Sequence, residues 1–173
     1  LLTPEQIAAR LDDRFKLLTG GVRTALPRQQ TLRALIDWSY QLLNETEQRA
    51  LRGLSVFSGG WTLEAAESVV GADEALEGLS GLVNKSLVIV EEQDGRSRYR
   101  FLETIRQYAM EKLLEAGEAI PTRDRHLDYM FEVIKYSPER MFGTEDIELL
   151  DRIESEHDNL RAALEWATAN HPD

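Results

Sequence analysis

The chain has 173 residues, with 20 Lys and Arg against 31 Asp and Glu, a formal charge of -11 and a sequence pI near 4.8. It holds no cysteine, and none of its apolar runs approaches the roughly 18 residues that a membrane span needs. Disulfide scaffolds, thiol nucleophiles and thiolate zinc sites are therefore excluded, the acidic balance opposes unaided binding to nucleic acid or anionic membrane, and a cytoplasmic location is expected.

Thr3-Pro4-Glu5-Gln6 reads as a capped helix start, with Thr at the cap and Pro at the first helical position. The spacing of Ile7, Leu11, Phe15 and Leu18 predicts a helix from about Thr3 to Leu18, closed by Gly20-Gly21. Residues 22–28 are expected to be an extended linker. Arg10, Arg14, Lys16, Arg23 and Arg28 against Glu5, Asp12 and Asp13 make this opening the one basic stretch, at about +2. A second helix is predicted from about Thr31 to Leu43, with an apolar stripe of Leu32, Leu35, Ile36, Leu42 and Leu43.

Asn44 and Glu47 form the next capping-box signal, ahead of a helix through Ala50, Leu51, Leu54 and Phe57 that Ser58-Gly59-Gly60 should stop. Thr62 caps a short helix from Leu63 to Val70, ended by Gly71. Another, from about Asp73 to Lys85, presents Leu76, Leu79, Leu82 and Val83. The period then changes from 3.6 to 2. Residues 87–92 and 98–101 alternate on either side of Asp94-Gly95, which predicts one β-hairpin. Residues 103–115 return to helix, with Gly117 as the stop.

Helices followed by a single hairpin are the layout of a winged helix-turn-helix domain, so the fold class expected is mainly α with one hairpin. Beyond residue 117 two helical stretches are expected, one through Leu127, Met130, Phe131 and Ile134, the other through Ile147, Leu150, Ile153, Leu160 and Leu164. Residues 122–173 carry 6 basic and 13 acidic side chains, about -7. Such a pair suits the first unit of a stacked-helix, TPR-like array. The organisation expected is thus 1–28 as a last helix plus linker, 29–117 as the winged helix, and 118–173 as the start of a helical region. The chain reads as a piece of a longer protein.

Signals for catalysis are weak. Gly81-Leu82-Val83-Asn84-Lys85-Ser86 ends like a phosphate loop, but Asn84 replaces the required glycine. Gly78-Leu79-Ser80-Gly81-Leu82 approaches a nucleophile elbow, but Leu82 breaks it and Ser80 falls inside a helix, where a small residue at a helix-packing contact is the plainer explanation. His126, His157 and His171 form no paired metal motif. His157 among Glu154, Glu156 and Asp158 reads as a solvated helix face rather than a metal site. No enzyme, cofactor or metal is expected in this piece.

The helix that would read DNA, 73–85, sets Asp73, Glu74 and Glu77 against Lys85 alone, whereas phosphate and base contacts call for Lys, Arg, Asn or Gln. The hairpin carries Arg96, Arg98 and Arg100, partly offset by Glu91 and Glu92. A protein-facing winged helix is therefore preferred. DNA binding through Lys85, Arg96, Arg98 and Arg100 is the alternative, and a passive scaffold using the acidic tail is a third reading.

Several strings in order resemble one arrangement. They are residues 26–33 (LPRQQTLR), 37–43 (DWSYQLL), 55–66 (SVFSGGWTLEAA), 82–88 (LVNKSLV), 99–109 (YRFLETIRQYA) and 156–164 (EHDNLRAAL). Together they resemble the winged helix and following helices of large bacterial regulators with a STAND-type (NB-ARC-like) ATPase core, of the LuxR-type or antibiotic-regulator-like class. The resemblance implies a preceding nucleotide-binding domain that uses ATP and ADP, a winged helix that docks on it in a nucleotide-dependent way, and following TPR-like repeats that sense a ligand or partner. It further implies transcription regulation with DNA contacts from a separate domain, and leaves oligomerisation of the full-length protein open. Related proteins place Met-His-Asp after the wing. Phe101, Leu102 and Glu103 stand there in this chain, and Leu102 cannot donate a hydrogen bond, which leaves Glu103 to meet the amides opening the next helix. The docking surface expected is Arg23, Arg28, Glu103 and Arg106.

Overall fold

The computed structural model describes residues 27–93, 96–135 and 152–170, with the backbone alone at residues 27–31, 93 and 96. The expected helix 3–18, Gly20-Gly21, Arg23, the Asp94-Gly95 turn, Ile147, Leu150 and His171 lie outside the described residues, as do the side chains of Arg28 and Arg96. The chain divides into two compact units, 1–42 and 43–173.

In the first unit, helix α1 spans Pro27–Gln41. It begins four residues before the predicted start, so residues 27 and 28 are helical rather than linker. Proline suits a first helical turn, because its fixed φ matches the helix and its missing N–H would have no partner there anyway. The expected apolar stripe is exposed at Leu32, Leu35 and Leu42, and Trp38 is exposed beside it.

The second unit opens with α2 (Glu45–Leu54). The capping box is present as predicted: Asn44 Oδ1 accepts from the Glu47 amide, and Glu47 Oε2 accepts from the Asn44 amide, both at 2.8 Å. The helix stops at Leu54, before the predicted end, where Ser55 Oγ turns back to the Arg52 carbonyl at 2.6 Å. Phe57 thus sits in the following turn. There it stacks on Trp61 at 5.6 Å, and Trp61 in turn meets Phe101 at 4.8 Å. Phe57 and Trp61 are fully buried with Leu51, Leu54, Val69, Leu82 and Leu113. Each large apolar side chain so buried contributes about 2–3 kcal/mol.

Helix α3 (Leu63–Val70) is capped by Thr62, whose hydroxyl accepts from the Ala65 amide, and ends at Gly71. Helix α4 (Ala72–Asn84) packs on α2 and α3. Its buried positions are Ala75, Gly78, Leu79 and Leu82, while Leu76, expected to be inward, is exposed. Gly78 and Gly81 supply the close approach to α2: a Cβ at Gly78 would collide with the Ala50 side chain, and one at Gly81 with the Glu47 carboxylate. Ser80, between them, is exposed, so the glycines rather than the serine make the helix-packing contact.

Strands β1 (Ile89–Gln93) and β2 (Arg96–Arg100) form the antiparallel hairpin, pairing Ile89 with Arg100 and Glu91 with Arg98. A lone hairpin is marginal in water. This one is tied to the helical core by Trp61, which exchanges two backbone hydrogen bonds with Tyr99, each of 2.8 Å. Helix α5 (Glu103–Glu115) follows and ends at Gly117, with φ +72°. The order α2–α3–α4–hairpin–α5 is a winged helix-turn-helix.

Helices α6 (Ala119–Ile134) and α7 (His157–Asn170) complete the unit, α6 packing on α3 and α7 on α6. Their inward positions are Thr122, His126, Met130, Val133, Asn159 and Ala163. Phe131, Ile134 and Leu164, predicted on the apolar face, are exposed. Among the described residues no helix is long and apolar enough to cross a membrane.

Candidate interaction surface of the wing and third helix

In a winged helix the candidate contact elements are the third helix, here α4, and the wing. Residues 72–84 contain Asp73, Glu74 and Glu77 and no Lys or Arg. Asp73 and Glu77 face solvent, and Glu74 accepts from Arg49 of α2 at 3.3 Å. Lys85, at the end of α4, turns back and grips the buried carboxylate of Glu47. Burial alone would raise the Glu47 pKa. The Lys85 ammonium and the Asn44 amide outweigh it and hold the carboxyl below its ordinary range.

The wing arginines are also engaged. Arg100 Nε donates to Glu91 Oε1 at 2.8 Å, and this hydrogen bond holds Glu91 below its ordinary pKa. Arg98 points the other way, into the unit. Its Nη1 donates to Glu156 Oε1 at 2.7 Å, and its Nη2 donates to the carbonyls of Ser155 at 2.9 Å and Gly60 at 3.2 Å. Both side chains are nearly enclosed, 14% exposed for Arg98 and 5% for Glu156.

Asn159 completes this junction. Fully buried, it accepts from the Ser58 amide at 2.7 Å through Oδ1, while Nδ2 donates to the Gly60 carbonyl at 2.8 Å and to Glu156. Gly60 has φ +94°, and a Cβ there would lie 2.7 Å from the Tyr99 carbonyl. The 58–60 turn, β2 and the residues leading into α7 are thus bolted together through Gly60, Arg98, Glu156 and Asn159. Sequence reading gave Arg98 a nucleic-acid role only as the alternative, and missed its partners. The charge balance offered Glu91 and Glu92 as neighbours, and nothing local pointed to Glu156.

Glu103 and Arg106, expected on a docking surface, border a cleft of about 300 Å³ with Phe101 and Leu102. They pair with each other, Arg106 Nε and Nη2 reaching the Glu103 carboxylate at 2.8 and 2.7 Å. Gln107 adds a third hydrogen bond at 2.8 Å. Desolvation would raise the Glu103 pKa, but Arg106 and Gln107 lower it below the ordinary value. Glu103 therefore binds side chains one turn along α5, not the free amides predicted for it, since two nearby donors satisfy its oxygens. Arg23 and the Arg28 side chain lie outside the described residues, so the proposed foursome is seen only at Glu103 and Arg106.

His157 is exposed, with Asp158 Oδ1 at 3.5 Å, whereas Glu156 is turned inward to Arg98, so the acidic residues around His157 do not converge. Among the described residues no group of three His, Asp or Glu is placed to hold a metal.

Residues 43–114 match the family model for a winged helix-turn-helix domain. The chain is 47% identical over 98% of its length to Rv0890c of Mycobacterium tuberculosis and to Mb0914c of Mycobacterium bovis, both provisionally named HTH-type transcriptional regulators. It is also 44% identical over 68% of its length to Rv0894 of M. tuberculosis, an uncharacterized protein. The chain spans 20% of the first two relatives and 32% of the third. No solved structure matches.

Proposed function

We propose that this chain, a winged helix-turn-helix homologous to mycobacterial transcriptional regulators, serves a larger regulator as a non-catalytic module whose wing and third helix face protein rather than DNA. The observation that carries this reading is the state of its cations. Lys85, Arg98 and Arg100 each hold a carboxylate of the same unit, and α4 brings only acid. Neutralising phosphates with these side chains would require breaking ion pairs, one of them buried, and would set Asp73 and Glu77 against the duplex.

The resemblance to STAND-type ATPase regulators supports a finer version. In it, the module docks on a preceding nucleotide-binding domain of the same chain according to whether ATP or ADP is bound, with TPR-like repeats following, in the cytoplasm. The cleft edged by Glu103 and Arg106 is the docking candidate on this unit. Charge reversal at Glu103 in the full-length parent should change the rate of ADP release, and an unchanged rate would remove that residue from the reading.

The family match and the names of the relatives favour a second reading, direct DNA contact through α4 and the wing. Fluorescence anisotropy with duplex DNA at ~50 mM salt separates the two. The protein-facing reading expects binding no tighter than about 100 µM, the weak end of non-specific affinity. Micromolar binding with a steep salt slope, lost when Arg96 and Arg100 are replaced by alanine, would establish the DNA reading instead.

A further inference from the structure

Between α5, α6 and α7 lies a second cleft, of about 360 Å³, away from the wing's outer face. That volume is near the lower end of ligand pockets, ~300–1,000 Å³. Arg106, Arg123 and His126 supply its cationic and polar groups, and Met110 and Trp166 much of its apolar wall.

Arg123 is the unusual member. Its guanidinium lies over the Trp166 ring, 5.0 Å from the centroid, and the ring is held by its own Nε1–H to Asp124 at 2.8 Å. The one hydrogen bond of Arg123 among the described residues goes to Met110 Sδ at 3.5 Å, a weak acceptor for a fork of five N–H donors. No carboxylate among the described residues pairs with it. Desolvation and then the charge of Arg106 lower its pKa, the mark of a cation whose surroundings lack a balancing anion. Arg49 and Arg100, by contrast, are raised by neighbouring carboxylates.

Two further residues line the same cleft. His126, 3% exposed, has a buried Nε2 with no hydrogen-bond partner among the described residues. Glu165 stands at the rim but accepts from Arg161 at 3.1 Å and is largely solvated, so it does not neutralise Arg123.

We propose that this cleft binds a small organic anion, a carboxylate or phosphate on a compact apolar body, with Arg123 receiving the charge and Trp166 and Met110 the body. The free edge of the Arg123 fork suits two acceptor oxygens in its plane, and the stacked indole fixes that plane. The site is independent of whether the wing faces protein or DNA.

The test uses the 173-residue chain, titrated at constant ionic strength with sodium benzoate, inorganic phosphate and neutral benzamide. The readouts are tryptophan fluorescence and the Trp166 indole N–H resonance. Saturable binding of benzoate or phosphate is expected in the millimolar range, with benzamide about tenfold weaker or more. The two anion arms tell which headgroup the site prefers. Arg123→Met should lose about tenfold in affinity while its Tm is unchanged or raised, because a half-buried cation without a carboxylate does not hold the fold together. Arg49→Ala, a change remote from the cleft, should bind as the wild type does. Should Arg123→Met fail to fold, the wild-type Trp166 resonance still decides. No saturable shift up to ~20 mM anion, or equal binding of benzamide, overturns the proposal. So does undiminished binding by a folded Arg123→Met.

Discussion

Arg98 on the second strand of the wing and Glu156 at the entrance of α7 form a buried ion pair with Nη1 and Oε1 2.7 Å apart, although 58 residues separate them in the chain. A wing residue in the usual place for a phosphate contact is here an anchor between the winged helix and the helices that follow. Nη2 adds hydrogen bonds to two backbone carbonyls, so the desolvated guanidinium is met on more than one side, as a buried charge requires.

Removing one partner of this pair leaves the other charge buried. Arg98→Ala and Glu156→Ala should each destabilise the unit by about 3 kcal/mol in urea unfolding. The double variant should cost less than the sum of the two. Strict additivity in that cycle would mean that the two side chains do not couple.

Asn159→Ala removes the acceptor for the Ser58 amide and one donor to the Gly60 carbonyl without adding a charge. A loss of about 2 kcal/mol is expected, with faster hydrogen exchange at the Ser58 amide. Unaltered exchange there would show that the 58–60 turn holds its shape without Asn159.

Gly60→Ala tests the backbone itself. Its φ of +94° disfavours any L side chain, and the new methyl would press on the Tyr99 carbonyl. The expected cost is about 2 kcal/mol or more, with loosening of the Trp61–Tyr99 bridge. Substitution at exposed Gly117, whose φ is +72° but where a Cβ meets nothing, should cost less.

His126 makes stability depend on pH. Burial, and secondly the charge of Arg123, lower its pKa from the ordinary 6.5 to about 4. A group depressed in the folded state is neutral in both states above the unfolded value. As pH falls through about 6.5 the unfolded chain takes the proton first, and stability is lost progressively down to about pH 4. Between pH 7 and pH 4.5 the wild type should lose about 2–3 kcal/mol through this group. His126→Gln should lose correspondingly less over the same interval, and an equal loss would assign the acid sensitivity to the carboxylates.

Glu47 adds a smaller term of the same sign at lower pH. Its depressed pKa means that its contribution is present above the ordinary carboxylate value and disappears as pH falls below it. Glu47→Gln keeps the shape of the capping box but releases Lys85. The expected cost at pH 7 is about 1–2 kcal/mol, modest because the Lys85 side chain is 40% exposed.

What could be read from the sequence has one physical origin: forces that act within about four residues. The capping box of Asn44 and Glu47, the Thr62 cap, the stop at Gly117 and the change of period at the hairpin are all local, and each stands where it was predicted. Helix faces were legible only in part. Leu76, Phe131 and Leu164 keep helical spacing with buried neighbours but look outward, because which side of a helix is covered depends on the helix brought against it. The partners of charged groups were not legible at all. Arg98 had Glu91 and Glu92 close at hand in sequence, and which carboxylate it takes is decided by the approach of residues 155–159 to the wing. The same holds for Arg123, whose cleft forms only once α5, α6 and α7 meet. Composition and periodicity determined the elements and their order. Tertiary packing alone decided which charges are neutralised and which are left facing a cleft, because desolvation and ion pairing depend on distance in space and not on separation along the chain.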